Sequence, residues 1–67
     1  MEIKTSQEIG SLIKNVRKQQ QLTQTELAAT AGVGLRFVVE LEKGKSTCQL
    51  GKTLQVLHTL GIHFRTD

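Results

Sequence analysis

The stretch from Leu22 to Gly34 constrains this chain more than any other part of it. Thr23-x-x-Glu26 is a capping box. The threonine hydroxyl accepts from the third amide of a helix, and the glutamate accepts from the amide of the cap residue. Leu22, just before the cap, is placed to staple onto Leu27. Leu27, Ala28 and Ala31 then face one way, and Gly32 supplies the left-handed residue on which helices commonly stop. Start and stop are therefore both written locally, and they bound a helix over Gln24–Ala31. A helix this short is marginal in water unless its apolar face is packed. Gly32-Val33-Gly34 is its only connection to the next segment, Leu35–Lys43, in which Val38 and Leu41 turn inward before Gly44 ends it.

Two longer segments flank this pair. In Ser6–Lys18 the residues Ile9, Leu12, Ile13 and Val16 recur at helical spacing, behind a second capping box, Thr5-x-x-Glu8. In Cys48–Leu60 the main stripe is Leu50, Leu54, Leu57 and Leu60, widened by Val56, with Ser46 or Thr47 as cap and Gly61 as stop. Gly51 inside that segment should cost about 1 kcal/mol relative to alanine, which implies a close packing contact there or no packing reason at all. The tail Ile62-His63-Phe64-Arg65-Thr66 alternates apolar and polar residues, a strand pattern. No second strand candidate exists in the chain, so the tail either pairs with the same strand of another copy or frays as a terminus. Ile62 and Phe64, costly to leave in water, favour pairing. The expected fold is all-α: a compact four-helix bundle over 1–61, with a short C-terminal strand over 62–67 that pairs across a dimer. Val16, Leu27, Val38, Leu41, Leu54 and Leu57 should share one core.

Composition narrows the function. The chain has 67 residues, one domain at most, and a domain this small buries only about 60% of its unfolded surface. Cys48 is the single cysteine, so an intrachain disulfide scaffold is excluded. It reads as a small, partly buried residue at a helix start; a redox switch would lack a second thiol within the chain. The only aromatics are Phe37 and Phe64, too few for a single-strand stacking platform. The net charge of +3 suits a polyanionic partner, though only mildly. No apolar run approaches a membrane span, and Met1-Glu2-Ile3-Lys4 begins no signal-peptide core, so the expected location is the cytoplasm. His58 and His63 lack the further ligand and spacing a metal site needs. No nucleophile triad, carboxylate pair or phosphate loop is present, so neither an enzyme nor a cofactor is expected.

Two short helices joined by a tight glycine turn are the signature of a helix-turn-helix, whose second helix presents its outer face to the DNA major groove. The residues Arg17-Lys18, Leu22-Thr23-Gln24-Thr25-Glu26-Leu27-Ala28, Ala31-Gly32-Val33 and Glu40-Leu41-Glu42-Lys43-Gly44, with Leu57-His58-Thr59-Leu60-Gly61 after them, resemble the repressor/Cro type, the XRE family, in a lambda-repressor-like fold. The resemblance spans about residues 8–61. Gly34-Leu35-Arg36-Phe37, the run Glu40 to Lys45 and the strand-like tail further resemble HipB-type antitoxins. That resemblance implies a short homodimeric repressor joined partly through C-terminal strands, here Ile62, His63 and Phe64. It also implies repression of the chain's own operon at a palindromic duplex operator, and a HipA-like serine/threonine kinase toxin as partner. It implies no membrane and no small-molecule substrate.

The resemblance also implies roles for single residues. Arg17 and Glu42 match an ion pair bridging the first helix to the end of the third; phosphate contact by Arg17 is the competing reading. Gln24 matches a position that contacts a phosphate and can buttress the recognition helix, at a helix N-terminus suited to anions. Thr23 is a cap first and a phosphate neighbour second, and Thr25 faces the same end. Gly34, Lys43 and Lys45 are further phosphate candidates, with the Gly44 amide beside them and Lys52 more remote. Arg36 is the main base reader, able to bind guanine O6 and N7 together; a solvated arginine or a phosphate contact is the alternative. Leu35 either touches a thymine methyl or packs on the adjacent turn, and Val39 is placed for a methyl. Glu40 either accepts from a cytosine amino group or repels wrong sites. Phe37 belongs to the core edge, a partner surface or the groove floor, the core edge being the natural place for a large aromatic.

The outer face departs from the family in being apolar at Leu35, Phe37 and Val39, which shifts weight from base readout to DNA shape. Three functions are thereby left: a repressor that is also an antitoxin, a repressor without a toxin, and a protein-binding adaptor that has kept the fold and lost DNA.

Overall fold

The computed structural model describes residues 6–45 and 49–62. These form α1 (Ser6–Gln19), α2 (Gln24–Ala31), α3 (Leu35–Glu42) and α4 (Leu50–Thr59), with no strand among the described residues. Helix α3 packs on both α1 and α2, and α2 packs in turn on α4. The architecture is the expected all-α bundle. The strand positions His63 and Phe64, and the cap candidates Thr5, Ser46 and Thr47, lie outside the described residues, as does Cys48.

Helix α2 has the bounds its sequence signals demand. Thr23 Oγ1 accepts from the Glu26 amide at 3.0 Å, and Glu26 Oε1 accepts from the Thr23 amide at 2.9 Å. At the other end Gly32 takes φ 74° and donates to the carbonyls of Ala28 and Ala29. The Val33 amide closes the turn onto Ala28 O at 3.0 Å. A side chain at Gly32 would strain that left-handed residue, and the turn into α3 depends on it.

The core consists of Ile13, Leu27, Ala28, Ala31, Val38, Leu41, Val56, Leu57 and Leu60. Val16 packs at its edge. Leu54 departs from expectation: it is 44% exposed, while Val56 is wholly buried. The inward residues of α4 are Thr53, Val56 and Leu57, with Leu60 buried just past its end. At roughly 100° per residue, Leu54 stands about 110° from the centre of that arc. The leucine stripe is thus rotated off the true packing face, and only Leu57 and Leu60 belong to both. Thr53 can face inward because its hydroxyl donates to Gln49 O at 3.2 Å. Gly51 makes no close contact: a Cβ there would meet nothing within 4 Å.

A different glycine carries the close approach. Gly10 is buried on α1, and a Cβ on it would lie 2.5 Å from Leu41 O and 2.9 Å from Glu42 O. Helix α1 therefore meets the end of α3 backbone to backbone. The face α1 buries most deeply is Gly10, Ile13 and Arg17, so two of its three residues are not apolar. Helix α1 also stops without a glycine. Gln21 takes the left-handed conformation (φ 60°), and the Leu22 amide closes onto Arg17 O at 3.1 Å.

Candidate nucleic-acid interface

Helix α3 divides into two faces. Val38 and Leu41 are buried, whereas Leu35 and Arg36 are exposed and Phe37, Val39 and Glu40 are half-buried. Phe37 packs against the core edge, and Lys52 Nζ from α4 lies 5.9 Å from its ring centroid, within range of a cation–π contact. Arg36 is the most exposed charged group on α3, its side chain 92% accessible. Glu40 Oε1 lies 3.4 Å from Arg36 Nε and 3.7 Å from Lys45 Nζ.

Behind this face lies a buried polar joint. Arg17 Nε donates to Glu42 Oε2 at 2.6 Å and Nη2 to Oε1 at 3.1 Å, a two-pronged ion pair with side chains only 10% and 3% exposed. Arg17 Nη1 donates to Leu22 O at 2.7 Å. Gln24 Nε2 donates to the same Glu42 Oε1 at 3.1 Å. One carboxylate at the end of α3 thus receives α1 through Arg17 and α2 through Gln24. No described buried side-chain nitrogen or oxygen is left without a hydrogen-bond partner, the condition under which a buried ion pair is tolerable. Gln24 is therefore a buttress by geometry, at the first position of α2.

The remaining candidates sit at the start of α2 and at the two ends of α3. Thr23 and Thr25 are exposed beside the α2 tip, and Gly34 precedes α3 with its backbone extended. Lys43 and Lys45 are exposed just past α3. The Gly44 amide departs from expectation: it is not free, because it donates to Leu41 O at 3.1 Å to close the helix. Ile62, expected at a dimer seam, is half-buried: it packs partly on its own chain's core, and its amide donates to Leu57 O at 2.9 Å. Two further residues brace the bundle without a motif to mark them. Gly10 sets the α1–α3 approach, and Gln20 Nε2 donates to Leu60 O at 2.8 Å, tying the α1–α2 turn to the end of α4.

A family model described as Helix-turn-helix matches residues 13–65. The chain belongs to the helix-turn-helix family of transcriptional regulators, a DNA-binding family. It is similar to "Uncharacterized HTH-type transcriptional regulator y4mF" of Sinorhizobium fredii, with 64% identity over 59 residues covering 88% of this chain and 78% of that protein. Among solved structures it is similar in fold to the protein of a "HipB-O4 20mer complex" (TM-score 0.86, 22% identity, 100% of this chain and 94% of that one). It is equally similar to a chain of a "HipA-HipB-O2-O3 complex" (TM-score 0.87, 22% identity, again 100% and 94%). Within this helix-turn-helix, α2 and α3 are the paired elements and the Leu35–Glu40 face is the outward side of the second. No described helix is long and apolar enough to cross a membrane.

Proposed function

We propose that this regulator is a sequence-specific repressor of duplex DNA, active as a homodimer, and the antitoxin subunit of an operon encoding a HipA-like kinase toxin. It acts in the cytoplasm without catalysing a reaction. The observation that carries the reading is the outer face of α3, exposed at Leu35 and Arg36 and fixed from behind by the Arg17–Glu42–Gln24 joint. Arg36, with Leu35 and Val39 beside it, meets base edges in the major groove. Thr23, Gln24 and Thr25 at the α2 tip, with Gly34, Lys43 and Lys45, meet the phosphates that position the domain. Ile62, His63 and Phe64 contribute to the join between copies. The likeness to HipB, solved in one complex together with HipA, supports the antitoxin role.

Footprinting on the duplex upstream of the protein's own gene, at two salt concentrations with competitor DNA, tests the core of this proposal. A protected palindrome supports an autorepressing dimer; no protection at either salt sinks it. Co-purification with the product of a neighbouring kinase gene tests the antitoxin part, and a chain that protects its operator but has no such neighbour is a stand-alone regulator. The apolar character of Leu35, which is 46% exposed, favours a second reading, the protein-binding adaptor, if DNA binding is absent.

A further inference from the structure

We infer that Glu40 is a positioning residue: it restrains Arg36 and Lys45 from taking phosphates indiscriminately, and so widens the gap between specific and bulk DNA binding. The inference rests on the DNA-reading face proposed above. A single oxygen, Glu40 Oε1, stands 3.4 Å from Arg36 Nε and 3.7 Å from Lys45 Nζ. The arginine rises from the first turn of α3 and the lysine follows its end, so one acid gathers cations from both ends of the helix. Exposed pairs of this kind contribute little to folding, and these side chains are 92%, 41% and 64% exposed for Arg36, Glu40 and Lys45. The core makes no use of the cluster.

What the cluster alters is the charge offered to DNA. A phosphate that takes the free edge of Arg36, or takes Lys45, brings a negative charge up to Glu40. The carboxylate is then left beside a phosphate of its own sign, in a contact from which water has been excluded and where repulsion is stronger. A guanine edge makes no such demand. Glu40 engages Nε, which leaves the Nη1/Nη2 edge of Arg36 for O6 and N7. Glu40 thus penalises the sequence-independent contact while leaving the base contact open, and it acts through the two cations instead of on a cytosine amino group.

The test compares wild type with Glu40→Gln on a random-sequence duplex and on a duplex selected for wild-type binding, by fluorescence anisotropy over a salt series. Glu40→Gln should bind the random duplex about threefold to tenfold more tightly, with the slope of log K against log salt steeper by about 1 to 2, roughly 0.9 for each cation released. Affinity for the selected duplex should change less, so the specificity ratio falls. Combining Glu40→Gln with Arg36→Ala and Lys45→Ala should reduce the gain on random DNA to less than about twofold, since each released cation adds its own phosphate contact. If wild type binds DNA but Glu40→Gln leaves the random-duplex affinity and slope unchanged, the inference is overturned and the DNA reading stands. A gain that persists without the two cations also overturns it, by making the effect one of net charge alone. Absence of wild-type binding to any duplex overturns the DNA reading, and this inference with it.

Discussion

At the scale of single residues the molecule depends on charges in unequal surroundings. Glu42 is almost wholly buried and receives hydrogen bonds from Arg17 and Gln24. Glu42→Ala strands the Arg17 guanidinium and should destabilise the fold by about 3–5 kcal/mol, on the order of the whole stability of a domain this size. Gln24→Ala removes one neutral donor from the same carboxylate and should cost less, about 1.5–3 kcal/mol. Urea denaturation of the two variants checks the ordering, and equal losses would mean that the joint is not centred on the ion pair. Glu26 is the exposed counterpart. The Thr23 amide, and after it the Thr23 hydroxyl, hold its carboxyl below the ordinary value of 4.5. A group depressed in the folded state contributes stability above its unfolded pKa and loses it as pH falls through the folded one. The capping box should therefore be intact above pH 4.5 and weaken below it. Glu26→Gln should flatten the acid limb of the melting temperature against pH; an unchanged limb would assign the acid sensitivity elsewhere.

At the scale of elements, two helical glycines make opposite predictions. Gly10→Ala drives a Cβ against the backbone carbonyls of Leu41 and Glu42. The overpacking, typically about 1–3 kcal/mol, should outweigh the gain of about 1 kcal/mol in helix propensity. Gly51→Ala meets open space and should stabilise by up to about 1 kcal/mol. Thermal melts of both variants decide the matter, and a stabilised Gly10→Ala would disprove hard contact between α1 and α3. This pair also marks how far the sequence is readable. Helix α2 is legible to the residue because its cap, staple and stop are chemical signals acting within a few positions. The outer face of α3 follows from Val38 and Leu41 once that helix is placed. The true face of α4 is not legible from leucines alone, since Thr53 turns inward by satisfying its own hydroxyl on the backbone. Gly10 is not legible either, because a close approach belongs to two distant segments at once. The same holds for Gln20, whose acceptor, Leu60 O, is 40 positions away. Arg17 and Glu42 are 25 apart, and in the sequence only the family resemblance joins them.

At the scale of the whole molecule, a body of 30 × 21 × 18 Å presents a single α3, so the proposed binding mode gives each copy one stretch of major groove. Two copies reading one face of the duplex require half-sites about one helical turn, near 34 Å, apart. Inserting half a turn of DNA between half-sites should abolish joint binding, and inserting a full turn should restore part of it; gel-shift titration distinguishes the two, and indifference to phase would argue against a dimer. One consequence concerns exchange of parts. The α1–α3 contact at Gly10 is made by backbone, which has no rotamers with which to accommodate a change, so the seat of α3 tolerates little alteration there. Leu35, Arg36, Val39 and Glu40 project from that seat without holding it. The proposed reading surface can therefore be rewritten, by selection or by hand, as an interchangeable head on an unaltered mount.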